Sequence, residues 1–110
     1  MMIIKWNRDG YPTARSLREL KKKVNSKNLK EAIEAFYEAL QENYYGDEVV
    51  GIEEVEIRGE KKKVWGYHTL GWSGNEDIIR VLQTSVLFGM LLERYDAGGH
   101  YYFRCKEDVY

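Results

Sequence analysis

The residue types best suited to chemistry fall in one stretch, Gly71-Trp72-Ser73-Gly74-Asn75-Glu76-Asp77, and in two histidines, His68 and His100. Ser73 and Glu76 have the S-x-x-E spacing of a capping box, which predicts a helix start here. A helix N-terminus presents backbone N–H groups, and an adjacent Trp72 adds an aromatic face for a planar group. Glu76 complicates a bare phosphate, because its carboxylate can occupy the helix end itself. A nucleobase that offers donors to Glu76 and Asn75 and stacks on Trp72 fits the stretch better. The same residues also suit a plain capped helix after a tight strand-to-helix turn, with Trp72 as a lid on the core.

Three other chemistries can be drawn from these side chains. His68 and His100 with Glu76 or Asp77 would make a two-histidine, one-carboxylate metal site. No H-x-H, H-E-x-x-H or paired-cysteine spacing supports it, so no metal and no cofactor is expected. Ser73, His100 and Asp77 would make a nucleophilic triad. The Gly71-Trp72-Ser73-Gly74 pattern is one residue short of the G-x-S-x-G elbow, so no catalytic residue is assigned. Arg15, Arg18, Lys21, Lys22 and Lys23 would suit phosphates along a nucleic acid, but the acidic segment that follows opposes the same strand. Nucleic acid is therefore the weaker partner.

The elements that position these residues follow from periodicity. Leu17, Leu20 and Val24 recur at helical spacing between about Thr13 and Asn25, just after Pro12. Asn28 and Glu31 mark the start of a second helix, with Leu29, Ala32, Ile33, Phe36 and Leu40 on one stripe. Val49 to Ile57 and Lys62 to Leu70 read as two strands joined through Arg58-Gly59-Glu60-Lys61. Ile52 is out of phase with Val55 and Ile57, which predicts a bulge near Glu53-Glu54. A third helix is expected from about Asn75 to Ser85. Val86 to Tyr95 is read as a strand, with a helix as the alternative, and Asp96-Ala97-Gly98-Gly99 as the turn into a last strand from His100 to Cys105. The expected fold is a single α+β domain over residues 1–110: a small antiparallel sheet of two hairpins covered by about three helices, in the order α-α-β-β-α-β-β.

Bulk properties narrow the class. The net charge of −1 hides a balance of +7 over residues 1–30, −9 over 31–60 and +1 over 61–110. Such polarity suits a basic and an acidic face, or two halves that pair with each other. Nine Tyr, three Trp and three Phe are generous for 110 residues and suit a binding surface or an aromatic-filled core. An exposed aromatic hairpin would favour a homodimer. No apolar run approaches the roughly 20 residues of a membrane helix. The opening Met1-Met2-Ile3-Ile4-Lys5-Trp6 is too short for a secretory signal, and a single cysteine suits a reducing cytoplasm.

Residues 64 to 104 carry a resemblance. The run Gly71-Trp72-Ser73-Gly74-Asn75-Glu76, followed downstream by Gly98-Gly99-His100-Tyr101, resembles small bacteriophage and prophage proteins of unassigned activity. Those proteins have a GGWSGNE-type motif before a helix and an RRGGHY-type turn into the final strand. Leu70 stands where they have the first Gly, and Asp96-Ala97 stand where they tend to have two Arg, which removes positive charge beside the site. The resemblance implies a viral protein acting in a host cytosol. The expectation is a non-enzymatic binding protein, a counter-defence sponge for a nucleotide-like small molecule. Its site would be Trp72, Ser73, Gly74, Asn75 and Glu76, with His68, Gly99, His100 and Tyr102 nearby. The alternative is an inhibitor that engages a host defence protein through the charged helices.

Overall fold

The computed structural model describes residues 4–109, so the opening Met1-Met2-Ile3 run lies outside it. Helix α1 (Ala14–Val24) begins where the sequence places it, because the Thr13 hydroxyl accepts the Ser16 N–H at 3.2 Å. Lys21, Lys22 and Lys23 fill its last turn, where the helix dipole favours cations. Helix α2 (Leu29–Gln41) is capped by Asn28, whose side chain accepts the Glu31 N–H at 3.1 Å. Only this arm of the box forms, since the Asn28 N–H goes to Ser26 Oγ. The buried face of α2 runs from Ala32 to Leu40 and includes Ala35, Tyr37 and Ala39, while Leu29 is exposed. Three alanines on this face let α2 lie close to its neighbours.

Strands β1 (Val50–Ile57) and β2 (Glu60–His68) form a hairpin through Arg58 and Gly59, both at positive φ, as a tight two-residue turn requires. Their pairing runs unbroken from Val50↔Tyr67 to Ile57↔Glu60, so the bulge expected near Glu53-Glu54 is absent. Ile52 looked out of phase because β1 carries apolar residues on both faces. Ile52 pairs with Trp65 toward the helices, whereas Val55 and Ile57 share the opposite face with Glu53 and Val64.

Helix α3 (Ser73–Leu82) buries Ile78, Ile79 and Leu82, as their spacing predicts. Val86 to Tyr95 then divides instead of forming one strand. A short helix α4 (Val86–Leu91), capped by Ser85, buries Leu87 and Leu91, and strand β3 (Leu92–Asp96) follows at once. The division follows from Ser85, whose hydroxyl accepts the Leu87 N–H at 3.1 Å while donating to the Val24 carbonyl at 2.8 Å. Strand β4 (His100–Arg104) completes an antiparallel sheet of order β1-β2-β4-β3. Its one register shift lies between Leu92 and Arg94.

The result is the expected α+β architecture, with one more helix than anticipated among the described residues. Tyr67 and Phe103, with Trp65 and Tyr101 beside them, face the helices and join Phe36, Leu40, Ile78 and Leu82 in the core. Glu53, Val64, Gly66, His68, His100 and Tyr102 occupy the other face by strand alternation. No helix among the described residues is long and apolar enough to cross a membrane.

Candidate functional site

The structure divides the anticipated site into three places. The first is the turn into α3. Ser73 is not its cap: that position falls to Trp72, and Ser73 Oγ lies 3.2 Å from the Tyr11 hydroxyl. The Trp72 ring stacks on Tyr44 at 5.5 Å and 20° and lies 5.4 Å from Tyr11, and its indole N–H donates to the Gly10 carbonyl at 2.6 Å. Asn75 is fully buried; its Oδ1 accepts the Tyr44 N–H at 2.9 Å. Its Nδ2 has no hydrogen-bond partner among the described residues. Gly74 is buried as well, against the Gly10 carbonyl. Trp72, Ser73, Gly74 and Asn75 thus clasp the Trp6–Pro12 turn and the Asn43–Tyr45 segment onto α3. The Trp72 ring expected to stack on a base already contacts the chain's own tyrosines.

The second place is the face of the sheet turned away from the helices, where β2 and β4 set His68 directly opposite His100. Their Nδ1 atoms are 2.8 Å apart. The His68 Nε2 atom makes a close contact with Glu53 Oε2. Glu53 comes from β1, where it pairs with Val64, and its side chain crosses Gly66 to reach His68. A Cβ at residue 66 would sit 1.8 Å from Glu53 Oε2, so only glycine leaves room for this carboxylate. Tyr102 packs its ring edge against His68 at 5.6 Å. The carboxylate beside the histidines is therefore Glu53, and not Glu76 or Asp77. Asp77 pairs with Arg80, and among the described residues the Glu76 carboxylate meets Thr69 Oγ1, at 3.5 Å. No group of three His, Cys, Asp or Glu side chains with metal-binding geometry exists among the described residues. Ser73 and Asp77 have partners other than His100, so the triad drawn from the sequence does not assemble.

The third place is a groove of about 540 Å³ between α3 and the β3–β4 turn. Glu76, Ile79, Arg80 and Gln83 line the helix side; Tyr95, Tyr101 and the backbone of Gly98 and Gly99 line the other, with Gly71 at the rim. Tyr95 and Tyr101 lie with ring centroids 4.9 Å apart. Burial raises the Tyr101 phenol above its ordinary value, and the nearby Tyr95 and Glu76 push the same way while Arg80 opposes them. Gly99 sets the groove's end: its carbonyl accepts the Thr69 N–H at 3.0 Å, and a Cβ there would collide with Thr69 Oγ1. Of the anticipated residues, Glu76 and Gly99 belong to this groove, whereas His68, His100 and Tyr102 belong to the opposite face. Tyr101 lies in the Gly98-Gly99-His100-Tyr101 run that the sequence singled out; Tyr95, Arg80 and Gln83 were not anticipated, and the Asp96-Gly99 turn that follows Tyr95 was the available signal. The chain matches no protein-family model, no curated protein and no solved structure.

Proposed function

We propose that this chain is a binding protein for a nucleotide-like small molecule, held in the groove between α3 and the β3–β4 turn. The observation that carries the reading is the pairing, in one groove, of two tyrosine rings with Glu76, Arg80 and Gln83. The rings supply a wall for a planar base, Glu76 and Gln83 supply polar contacts to its edge, and Arg80 supplies a cation for an anionic tail. Together with the resemblance to phage proteins, such binding suits a counter-defence sponge that holds a host nucleotide signal in the host cytosol.

A second reading rests on α1. Arg15, Arg18, Lys21 and Lys22 are exposed, and none makes an ion pair with another described residue, which suits an acidic surface on a host protein. Calorimetric titration with mono-, di- and cyclic nucleotides separates the two. A groove ligand loses at least about tenfold in affinity on Tyr101→Ala, the loss of roughly one ring contact with its buried area, and tolerates Arg18→Glu with Lys22→Glu. An absence of heat for every nucleotide at millimolar concentration sinks the groove reading.

A further inference from the structure

The Glu53–His68–His100 chain has no part in the core or in the groove, yet its three groups come from three adjacent strands and are kept in line by an obligatory glycine. With both imidazoles neutral, its hydrogen bonds have one solution. A Glu53 carboxylate only accepts, so His68 Nε2 must carry a hydrogen. In the neutral pair His68 Nδ1 is then bare and His100 Nδ1–H must be the donor. That leaves His100 Nε2 as an open lone pair. It lies beside Gly98, where a Cβ would sit 3.5 Å away, and His100 is only half-buried. When this nitrogen takes up a proton, the Nδ1 proton of His100 can pass to His68. The positive charge then rests next to Glu53. A hydroxyl at His100 Nε2 would complete a nucleophile–base–orienter arrangement, with His100 as the base and His68, held by Glu53, as the orienter.

We propose that this cluster is a proton-relay site whose working atom is His100 Nε2, a general base for water or a ligand hydroxyl. In the step itself, the hydroxyl O–H bond breaks and its electron pair stays on oxygen. The proton joins His100 Nε2, and the His100 Nδ1 proton moves to His68 Nδ1. Glu53 and His68 are positioning residues, and His100 alone touches the ligand. The charged and titratable groups facing the pair come from each strand: Glu53 of β1, Tyr102 of β4, and Arg94 and Asp96 of β3. Asp96 is the register partner of His100 and is itself held by Arg94 at 2.9 Å. The proposal stands apart from the groove and survives its failure.

The test uses the intact protein at neutral pH. Long-range ¹H–¹⁵N spectra assign the imidazole tautomers, and diethyl pyrocarbonate, which attacks only a bare ring nitrogen, probes reactivity by mass spectrometry. The relay requires an Nε2–H tautomer at His68, an Nδ1–H tautomer at His100, and modification of His100 at least tenfold faster than His68. Glu53→Gln can donate its amide to His68 and reverse both tautomers, so the preference should fall below threefold. Gly66→Ala, which evicts the carboxylate, should do the same. Equal modification rates in the wild type, the same tautomer at both histidines, or a preference that persists in Glu53→Gln overturns the proposal. The wild-type spectra decide the matter even if a variant fails to fold.

Discussion

Replacing Trp72 with alanine separates a clasp from a ligand platform. The side chain removed contacts Tyr11, Tyr44 and Tyr45 and gives its indole N–H to the Gly10 carbonyl. Truncating a buried aromatic costs about 3–5 kcal/mol, and the half-buried state of Trp72 places this one near the lower bound. A loss of about 3 kcal/mol corresponds to a fall in Tm of about 12 °C or more in a domain of this size. Trp72→Phe retains a ring between the tyrosines but leaves the Gly10 carbonyl without its donor, so it should cost only about 1–2 kcal/mol. Urea titrations followed by far-ultraviolet circular dichroism give both values. The clasp also joins residues far apart in the chain, so the loss should appear in the midpoint of one cooperative transition. A Tm within 3 °C of wild type for Trp72→Ala, with nucleotide binding abolished, would rule out the clasp and restore Trp72 as a binding residue.

Two further outcomes follow from strain and charge. Leu70 stands at φ 57° and is 51% exposed, so it bears left-handed backbone strain while burying little. Leu70→Gly removes about 1–2 kcal/mol of that strain against about 0.5–1 kcal/mol of added chain entropy, a net gain of about 0.5–1 kcal/mol in a melting experiment; Leu70→Ala should show none. The Lys62 ammonium, with help from Arg104, holds the Glu93 carboxyl below its ordinary value of 4.5, against the opposing effect of burial. Its stabilising effect is therefore complete above that value and is lost as pH falls below it toward the folded-state value. Glu93→Gln should lower the urea midpoint at neutral pH, and the gap should narrow as the pH falls below 4.5; in high salt the neutral-pH gap should shrink because Lys62 is partly exposed.

Local features were legible because their causes are local. The Asn28 cap, the helical stripes of α1 and α2, a hairpin within Arg58-Gly59-Glu60-Lys61 and the α+β class all depend on residues within a turn or two of each other. Ser73 and Glu76 are where local causes stop deciding the structure. The spacing of a capping box was present, but Trp72, drawn toward a carbonyl and two rings about sixty or thirty positions away, took the cap position instead. Val86 to Tyr95 divided for a similar reason, since Ser85 is fixed by the Val24 carbonyl of α1. The adjacency of His68 and His100 was foreseeable only if β2 and β4 paired, and register alone made it so. The choice of Glu53 over Glu76 as their carboxylate needed β1 beside β2 and the empty volume above Gly66. Spacing along a chain determines which face a side chain shares, but its neighbours on that face come from other segments. Those neighbours are selected by the packing of the whole core, which only the tertiary structure decides.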